Sequence, residues 1–271
     1  QKAKLLEDTA QEYHKLREDF EKKKTIKTYL DFETATANKV MIDWSAYQPV
    51  QPQFTGTRVL DNVPLSELVP FIDWGPFFIA WELHGKFPQL LEDPAVGPEA
   101  KGLYEDAREL LGKIVEEKWL TARAVAGFWP AASEGNTITL HAGEKRYRLE
   151  CLRQQIKKAA GQPNFSLADF VAPADSGYTD YMGAFSVTIQ GIEPYIKRFQ
   201  DNHDDYNKIM LQALADRLAE ALAEWLHHKT RTELWGYAAG EQLSNEELIK
   251  EKYVGIRPAP GYPACPDHTE K

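Results

Sequence analysis

The stretch DDYNKIMLQALADRLAEALAEWLHH, residues 204–228, carries the strongest periodic signal in the sequence. Apolar residues recur every three or four positions, the spacing that places side chains on one face of an α-helix. That face comprises Leu211, Leu214, Leu218, Leu222 and Trp225, and the opposite side carries Ile209, Ala213 and Glu220. A helix with apolar or small residues on both sides is typical of the interior, so we expect this helix to be central.

Strand signals flank this helix in the sequence. The run TITLHAGEKRYRLECL, 137–152, has two alternating segments around a Gly143-Glu144-Lys145 turn, which predicts a β-hairpin. Further strands are predicted at RVLDNV (58–63), at AVAGFWPA (124–131) as a short buried strand, and at YMGAFSVTI (181–189). Because strands and helices do not alternate regularly, the pattern favours an α+β fold over a doubly wound parallel sheet.

Other segments of the chain also show helical signals. Residues 1–24 form an amphipathic pattern, residues 96–118 repeat apolar positions at helical spacing, and PLSEL resembles a helix start. SNEELIKEKY, 244–253, opens with a capping box, in which Ser244 is the cap and Glu247 lies three residues later. Between Thr25 and Leu60 the periodicity dissolves, so we expect an extended segment that wraps a body formed later in the chain.

Composition excludes several classes of function. The net charge of -9 and the pI near 5.4 argue against nucleic acid or an anionic membrane surface as the main partner, because both require a cationic face. No apolar run reaches membrane-spanning length. Cys151 and Cys265 form neither a disulfide framework nor a metal-binding CxxC pair, which fits a reducing cytoplasm. We therefore expect a cytoplasmic protein without a metal site.

Familiar catalytic motifs are missing, but three charged residues occupy unusual settings. Asp73 lies within the apolar run FIDWGPFF, where it either caps the following turn or holds a cation. Glu220 lies opposite the main stripe of its helix, where solvation competes with a binding role. Arg257 follows a short helix and can bond either the last helix carbonyls or a ligand carboxylate. The adjacent His227 and His228 favour a helix C-terminal dipole role over a shared site.

The chain ends on RPAPGYPACPDHTEK, residues 257–271, which can join neither a helix nor a sheet. Its four prolines fix φ and remove amide donors, while Gly261 can adopt a positive φ between them. Tyr262 and Cys265 distinguish this stretch from a polar disordered tail. We therefore predict a loop that holds a defined backbone path against another group.

The run IRPAPGYPACPDHTEK resembles the RxxxGY signature of the activation domain of cobalamin-dependent methionine synthase, a module that binds S-adenosylmethionine. Several other segments agree with this resemblance: FIDWGPFF, GKFPQLLEDPAVGPEA, LADFVAP, GAF, the 204–228 helix, WGY and LSNEELIKEKYVGIRP. The likeness extends from about residue 55 to the end of the chain. Residues 1–50 look like the linker that leaves a cobalamin-binding module.

The resemblance implies a single C-shaped or helmet-like α+β domain, with a central twisted antiparallel sheet flanked by helices and a linker helix before it. Residues 51–271 would form the S-adenosylmethionine-binding domain, C-terminally truncated, because the family's domain normally continues past HTEK. The implied task is reductive methylation of cob(II)alamin to methylcobalamin, with an electron from a flavodoxin-type donor. The DxHxxG cobalamin motif is missing, so a neighbouring module of the same polypeptide would hold the cobalamin.

The resemblance also assigns roles to individual residues. Arg257 would bind the ligand carboxylate and Asp73 the ammonium, while Glu220 and Glu251 would place negative potential near the sulfonium. Backbone groups of the loop would border the adenine and ribose, at Ala259, Gly261 and Tyr262. Asp216 is a candidate partner for the histidine released from cobalt. No catalytic residue is assigned, and a docking or sensing module that binds S-adenosylmethionine without chemistry of its own is the alternative.

Overall fold

The computed structural model describes residues 2–23 and 27–266. A five-stranded antiparallel sheet is flanked by helices, which confirms the α+β prediction. The ends of the predicted 1–24 helix and the last five residues of the terminal stretch, DHTEK, lie outside the described residues. In the described part of the chain, no helix is both long and apolar enough to cross a membrane.

The strand β2, Thr121–Glu134, is the organising element of the sheet. Along one edge it pairs with β5, Asp180–Gln190, over eleven residue pairs from Thr121 to Ala131. Along the other edge it pairs first with β1, Gly56–Val63, and then with β3, Thr137–Ala142. The outer strand β4, Lys145–Glu150, completes the predicted hairpin with β3. The predicted short strand 124–131 is therefore the middle of a much longer one.

Eight α-helices are described: α1 (Lys2–Lys23), α2 (Phe32–Ala37), α3 (Leu65–Leu68), α4 (Gly75–Ala80), α5 (Gly97–Glu116), α6 (Glu193–Asp201), α7 (Asp205–Lys229) and α8 (Asn245–Ile249). The α7 helix begins at the Asp204 cap, whose side chain accepts a hydrogen bond from the Asn207 N–H. It packs against β5 and against α3 to α6, so the prediction of a central helix is correct.

The main hydrophobic core confirms the predicted stripe of α7. Leu211, Leu214, Leu218 and Leu222 are fully buried, and Trp225 is almost so. They pack in one cluster with the apolar faces of α4 and α5 and with the sheet residues Ala122, Ala124 and Ala126. On the opposite side of α7, Ile209 is exposed. The helix is therefore buried along one stripe of its surface. It is central because the sheet and several other helices pack against it.

Besides α4, which lies in the aromatic-rich run at 71–88, two further helices were not predicted from the sequence. The α2 helix lies inside the stretch 25–60, which we expected to be extended, and Asp31 caps it by accepting the Thr34 N–H at 2.8 Å. The α6 helix starts with Glu193 and a proline in its first turn. Both helices are short, so they offer too few turns for apolar periodicity to appear.

A smaller core lies under the hairpin, around Ile138, Cys151, Leu167 and Cys265. Beside it, Arg153 and Asp169 form an ion pair with about 1% of each side chain exposed. The Arg153 guanidinium also donates to the Asn136 side chain and to the Asn164 carbonyl at 2.7 Å. Nearly every donor of this arginine is therefore used inside the protein.

The segment that precedes β1 is bonded to the end of α7. Gln53 donates its N–H to the Leu234 carbonyl at 3.1 Å, and the Trp235 indole N–H donates to the Val50 carbonyl at 2.7 Å. The Trp235 ring also packs edge-on against Phe128, with 5.2 Å between ring centroids. These contacts hold residues 50–53 against the body, as predicted for a wrapping segment.

The α1 helix contrasts with the rest of the molecule. Its apolar residues are exposed: Leu5, Leu6, Tyr13, Leu16 and Phe20. The predicted amphipathic helix is therefore present. Within the described residues, its apolar face is exposed and no other element covers it.

Candidate functional site

The last turns of α7 place three polar side chains on one face. Glu224, His227 and Arg231 follow one another at spacings of three and four residues, which aligns them along a helix. The helix continues as a π-helical turn, Thr230–Leu234, and π-helical turns occur often at functional sites. All three residues have a buried polar atom without a hydrogen-bond partner in the described structure: Glu224 Oε2, His227 Nδ1 and Arg231 Nη1.

Arg257 reaches this face from the loop that follows α8. Its Nη2 donates a hydrogen bond to Glu224 Oε1, and the two side chains are 27% and 24% exposed. No further partner of this guanidinium is recorded within residues 27–266. An arginine has five N–H donors. Most of its donors are therefore open, and they can donate hydrogen bonds to a second, bidentate partner.

A second guanidinium lies close by but is committed elsewhere. Arg231 donates from Nε and Nη2 to the two carboxylate oxygens of Glu241, at 2.8 and 2.6 Å. Its side chain is fully buried, and the Tyr253 ring covers it at 4.6 Å. His228 Nδ1 lies 3.3 Å from the same carboxylate of Glu241. Arg231 is therefore held by both oxygens of a carboxylate, whereas Arg257 is held by one.

His227 is neutral in this setting. Burial, followed by the nearby positive charges of Arg231 and Arg257, lowers the pKa of His227 to about 2. Its ring packs edge-on against Tyr253, with 4.7 Å between ring centroids. The predicted dipole role is therefore wrong for His227, because a favourable interaction with the helix C-terminus requires a protonated ring.

Asp73 approaches the same end of the molecule. Its Oδ1 accepts the Gly75 N–H at 2.9 Å, so the predicted capping role is present. The first residue of α8, Asn245, donates its side-chain amide to the Ile72 carbonyl at 3.3 Å. The Phe71 ring also lies 5.8 Å from that of His228. The Asp73 segment is thus joined both to α8 and to the C-terminal end of α7.

The terminal loop turns back on itself. Gly261 has a φ of 94° and donates its N–H to the Cys265 carbonyl at 2.8 Å, while Tyr262 donates its N–H to the Ala259 carbonyl at 3.1 Å. Cys265 is buried in the smaller core, whereas the Tyr262 side chain is 56% exposed. The described part of the loop is therefore held at Arg257 and at Cys265, and residues 259–263 between them are exposed.

Comparison with known proteins agrees with this arrangement. The family described as the activation domain of vitamin B12 dependent methionine synthase matches residues 64–271. The chain belongs to this family. A solved structure described as the crystal structure of the MetH reactivation domain bound to AdoHcy is 48% identical, with a TM-score of 0.81. The match covers 88% of this chain and 74% of that one.

The activation domain brings some of the predicted site residues together. Arg257 and the Asp73 segment converge on the end of α7, and Ala259, Gly261 and Tyr262 follow Arg257 along one exposed loop. The grouping of these residues around one ligand, and their contacts to it, stay predictions.

The predicted acidic residues are exposed on α7 and at the end of α8. Glu220 is paired with Arg217 through two hydrogen bonds of 2.7 and 3.0 Å and is exposed. Glu251 is exposed and has a positive φ of 53° at the end of α8. Asp216 is exposed on the same helix as Glu220. Their proposed roles toward the sulfonium and the cobalt-bound histidine also stay predictions.

Sequence reasoning missed the inner residues of the site in the activation domain. Glu224, Arg231, Glu241 and Tyr253 were not singled out, and the two histidines were set aside. One signal could have revealed three of them, since residues 224, 227 and 231 are polar at helical spacing next to a strongly apolar stripe. Among the residues that the structure describes, no group of three potential metal ligands lies together.

Proposed function

We propose that this activation domain binds S-adenosylmethionine and supports reductive methylation of cob(II)alamin to methylcobalamin. The single observation that carries this proposal is the Arg257 guanidinium, which donates one hydrogen bond to Glu224 and has other donors open at the edge of a polar site. A ligand carboxylate would complete it with two parallel N–H···O bonds, the geometry for which arginine is best suited.

The charge pattern around Arg257 fits the other groups of this ligand. Asp73 uses one carboxylate oxygen to cap the Gly75 N–H, so its second oxygen is the group that would accept the ammonium. Glu220 and Glu251 would add negative potential near the sulfonium. A unit charge pair at 4 Å gains about 4 kcal/mol at an effective dielectric of 20, so such contacts matter where water is partly excluded.

The loop offers a border for the nucleoside. Proline at 258 and 260 restricts the backbone, and the hydrogen bond from Tyr262 to Ala259 fixes the turn that contains Gly261. An exposed aromatic side chain such as Tyr262 can stack on a purine. The structural relative described as bound to AdoHcy supports this role, since AdoHcy differs from S-adenosylmethionine by the transferred methyl group.

S-adenosylmethionine would supply an electrophilic methyl group for a cob(I)alamin formed when a flavodoxin-type donor adds one electron to cob(II)alamin. The sulfonium sulfur leaves as a neutral thioether when the methyl group is transferred. Methyl transfer therefore requires no general acid. The site therefore needs residues that bind and orient the ligand, which is the role proposed here for Arg257, Asp73 and the loop through Tyr262. We place the cobalamin on a neighbouring module of the same polypeptide and assign residues 1–50 to the linker and 51–271 to this domain.

Calorimetric titration with S-adenosylmethionine tests the proposal. The experiment uses both the 271-residue chain and a longer polypeptide that extends past Lys271, so that further ligand contacts can contribute. We expect binding that weakens by about 10- to 100-fold in Arg257→Ala, the loss typical of hydrogen bonds to charged groups. Exposed Glu105→Gln on α5 serves as a control and should bind like the parent.

Failure of both polypeptides to bind S-adenosylmethionine would contradict the proposal. If they bind the ligand but do not support methylation of supplied cob(I)alamin by the longer polypeptide, the domain is a sensing or docking module. A cytoplasmic location, and partners other than nucleic acid or membranes, stay predictions from composition.

A further inference from the structure

We infer that Glu224 is the positioning residue of the binding site, which holds the Arg257 guanidinium ready for a ligand carboxylate. This inference rests on the proposed function. It concerns a residue outside the set predicted from the sequence, and its support is geometric.

The two partners of this ion pair come from very different parts of the fold. Arg257 lies on an irregular loop, where no regular backbone restrains its long side chain. Glu224 lies on the 25-residue helix α7, between Leu222 and Leu226, both of which are fully buried. The helix is therefore the rigid member of the pair, and it fixes the position of the mobile member.

Glu224 is also the carboxylate that bonds Arg257 in the described part of the chain. The neighbouring Arg231 is bonded through two nitrogens to Glu241, so it does not compete for Glu224. The neutral His227 between them adds no charge of its own. Glu224 consequently neutralises Arg257 before a ligand arrives, which offsets the repulsion from Arg231.

The geometry of the pair leaves the guanidinium open. One oxygen of Glu224 accepts a hydrogen bond from Nη2, and the other oxygen, Oε2, is buried without a partner in the described structure. A bidentate pair would instead occupy a full edge of the guanidinium. The one-oxygen contact orients Arg257 and leaves an edge for a second carboxylate.

Glu224→Gln tests this role because it keeps the shape and removes the charge. We expect affinity for S-adenosylmethionine to fall by about tenfold. Affinity for 5′-methylthioadenosine, which has no carboxylate, should stay unchanged. In the Arg257→Ala background the same substitution should have little further effect, since coupled residues are non-additive.

A matched control is available in Glu233→Gln. Glu233 is an exposed carboxylate in the π-helical turn, paired with Lys229 at 2.6 Å. It should change neither affinity. Thermal unfolding of each variant, with and without ligand, verifies that the compared proteins are folded.

Three results would overturn the inference: unchanged affinity of Glu224→Gln for S-adenosylmethionine, equal losses for both ligands, or additive effects with Arg257→Ala. A ligand-free measurement separates this inference from the proposed function. NMR order parameters of the Arg257 Nε–H should fall in Glu224→Gln relative to the parent. If the parent binds no S-adenosylmethionine, the proposed function fails, while the order parameters still decide whether Glu224 holds Arg257.

Discussion

Two arginine–carboxylate pairs, Arg153–Asp169 and Arg257–Glu224, represent opposite uses of the same chemistry. In the first pair, each side chain is about 1% exposed. The remaining N–H groups of the Arg153 guanidinium donate hydrogen bonds to Asn136 and Asn164. Asp169 also accepts the Ser166 N–H at 3.0 Å. In the second pair, about a quarter of each side chain is exposed, and one oxygen of the carboxylate is used.

The two pairs differ in how many guanidinium donors are used inside the fold, and the proposed binding role of Arg257 depends on the donors that stay open. The donors of the buried Arg153 guanidinium are satisfied within the fold, which offsets the cost of burying its charge. A guanidinium at the surface of a site keeps donors for its ligand and is held by one rigid partner. Three measurements can break or sharpen this contrast.

Arg153→Met should have the largest effect. It leaves the Asp169 carboxylate buried without its counter-charge, so we expect the free energy of unfolding to fall by about 3–5 kcal/mol. Urea denaturation measures this loss. The matched control is Arg148→Met on the neighbouring strand, which removes an exposed pair with Glu150 and should cost less than about 1 kcal/mol. Equal losses for the two variants would contradict the contrast.

The neutral His227 beside the open pair predicts a pH dependence of intermediate size. Its pKa is about 2 when folded and 6.5 in the unfolded chain, so the unfolded state binds the proton first as pH falls. The contribution of the neutral His227 ring to the free energy of unfolding is present above about pH 6.5, and it decreases as the pH falls below that value. At pH 5 the loss from this residue is about 2 kcal/mol.

Urea denaturation at several pH values, repeated with His227→Gln, isolates this contribution. The variant cannot take up the proton, so its free energy of unfolding should vary less with pH between 6.5 and 5 than that of the parent. An identical pH dependence in the two proteins would show that His227 has the same pKa in the folded and unfolded states, which would contradict the lowered pKa.

Arg257→Ala should have the smallest effect on stability. The exposed part of Glu224 can be hydrated once its partner is removed, so the free energy of unfolding should fall by about 1 kcal/mol or less. The same variant should lose most of its affinity for S-adenosylmethionine, as proposed above. A loss of stability as large as that of Arg153→Met would place Arg257 among the structural arginines.

Much of the fold was predictable because it depends on local and periodic signals. The stripe of α7, the hairpin turn at Gly143 and the Ser244 capping box all appear in the structure where the sequence indicated them. The full length of β2 was not predicted, since its pairing with β1, β3 and β5 depends on residues far away in sequence. The short helices α2 and α6 depend on tertiary contacts for the same reason.

The site was predictable only in its outer part. Arg257, Asp73 and the loop through Tyr262 were found because their residue types and the resemblance both indicated a ligand with two charged ends. Glu224 was missed because its partner lies 33 residues away, across a loop whose path the sequence does not reveal. Which carboxylate of α7 faces the loop is decided by the angle at which that helix packs.

The bonds from Gln53 and Trp235 give the domain a second connection at its entrance. They tie residues 50–53 to Leu234, in the π-helical turn that contains Arg231, and to Trp235, which follows that turn. The segment before the sheet is therefore joined to the body in two ways, through the chain into β1 and through two hydrogen bonds to residues 234 and 235. Because the Trp235 indole N–H takes part in that junction, the entrance of the domain and the chain next to the candidate site share one side chain.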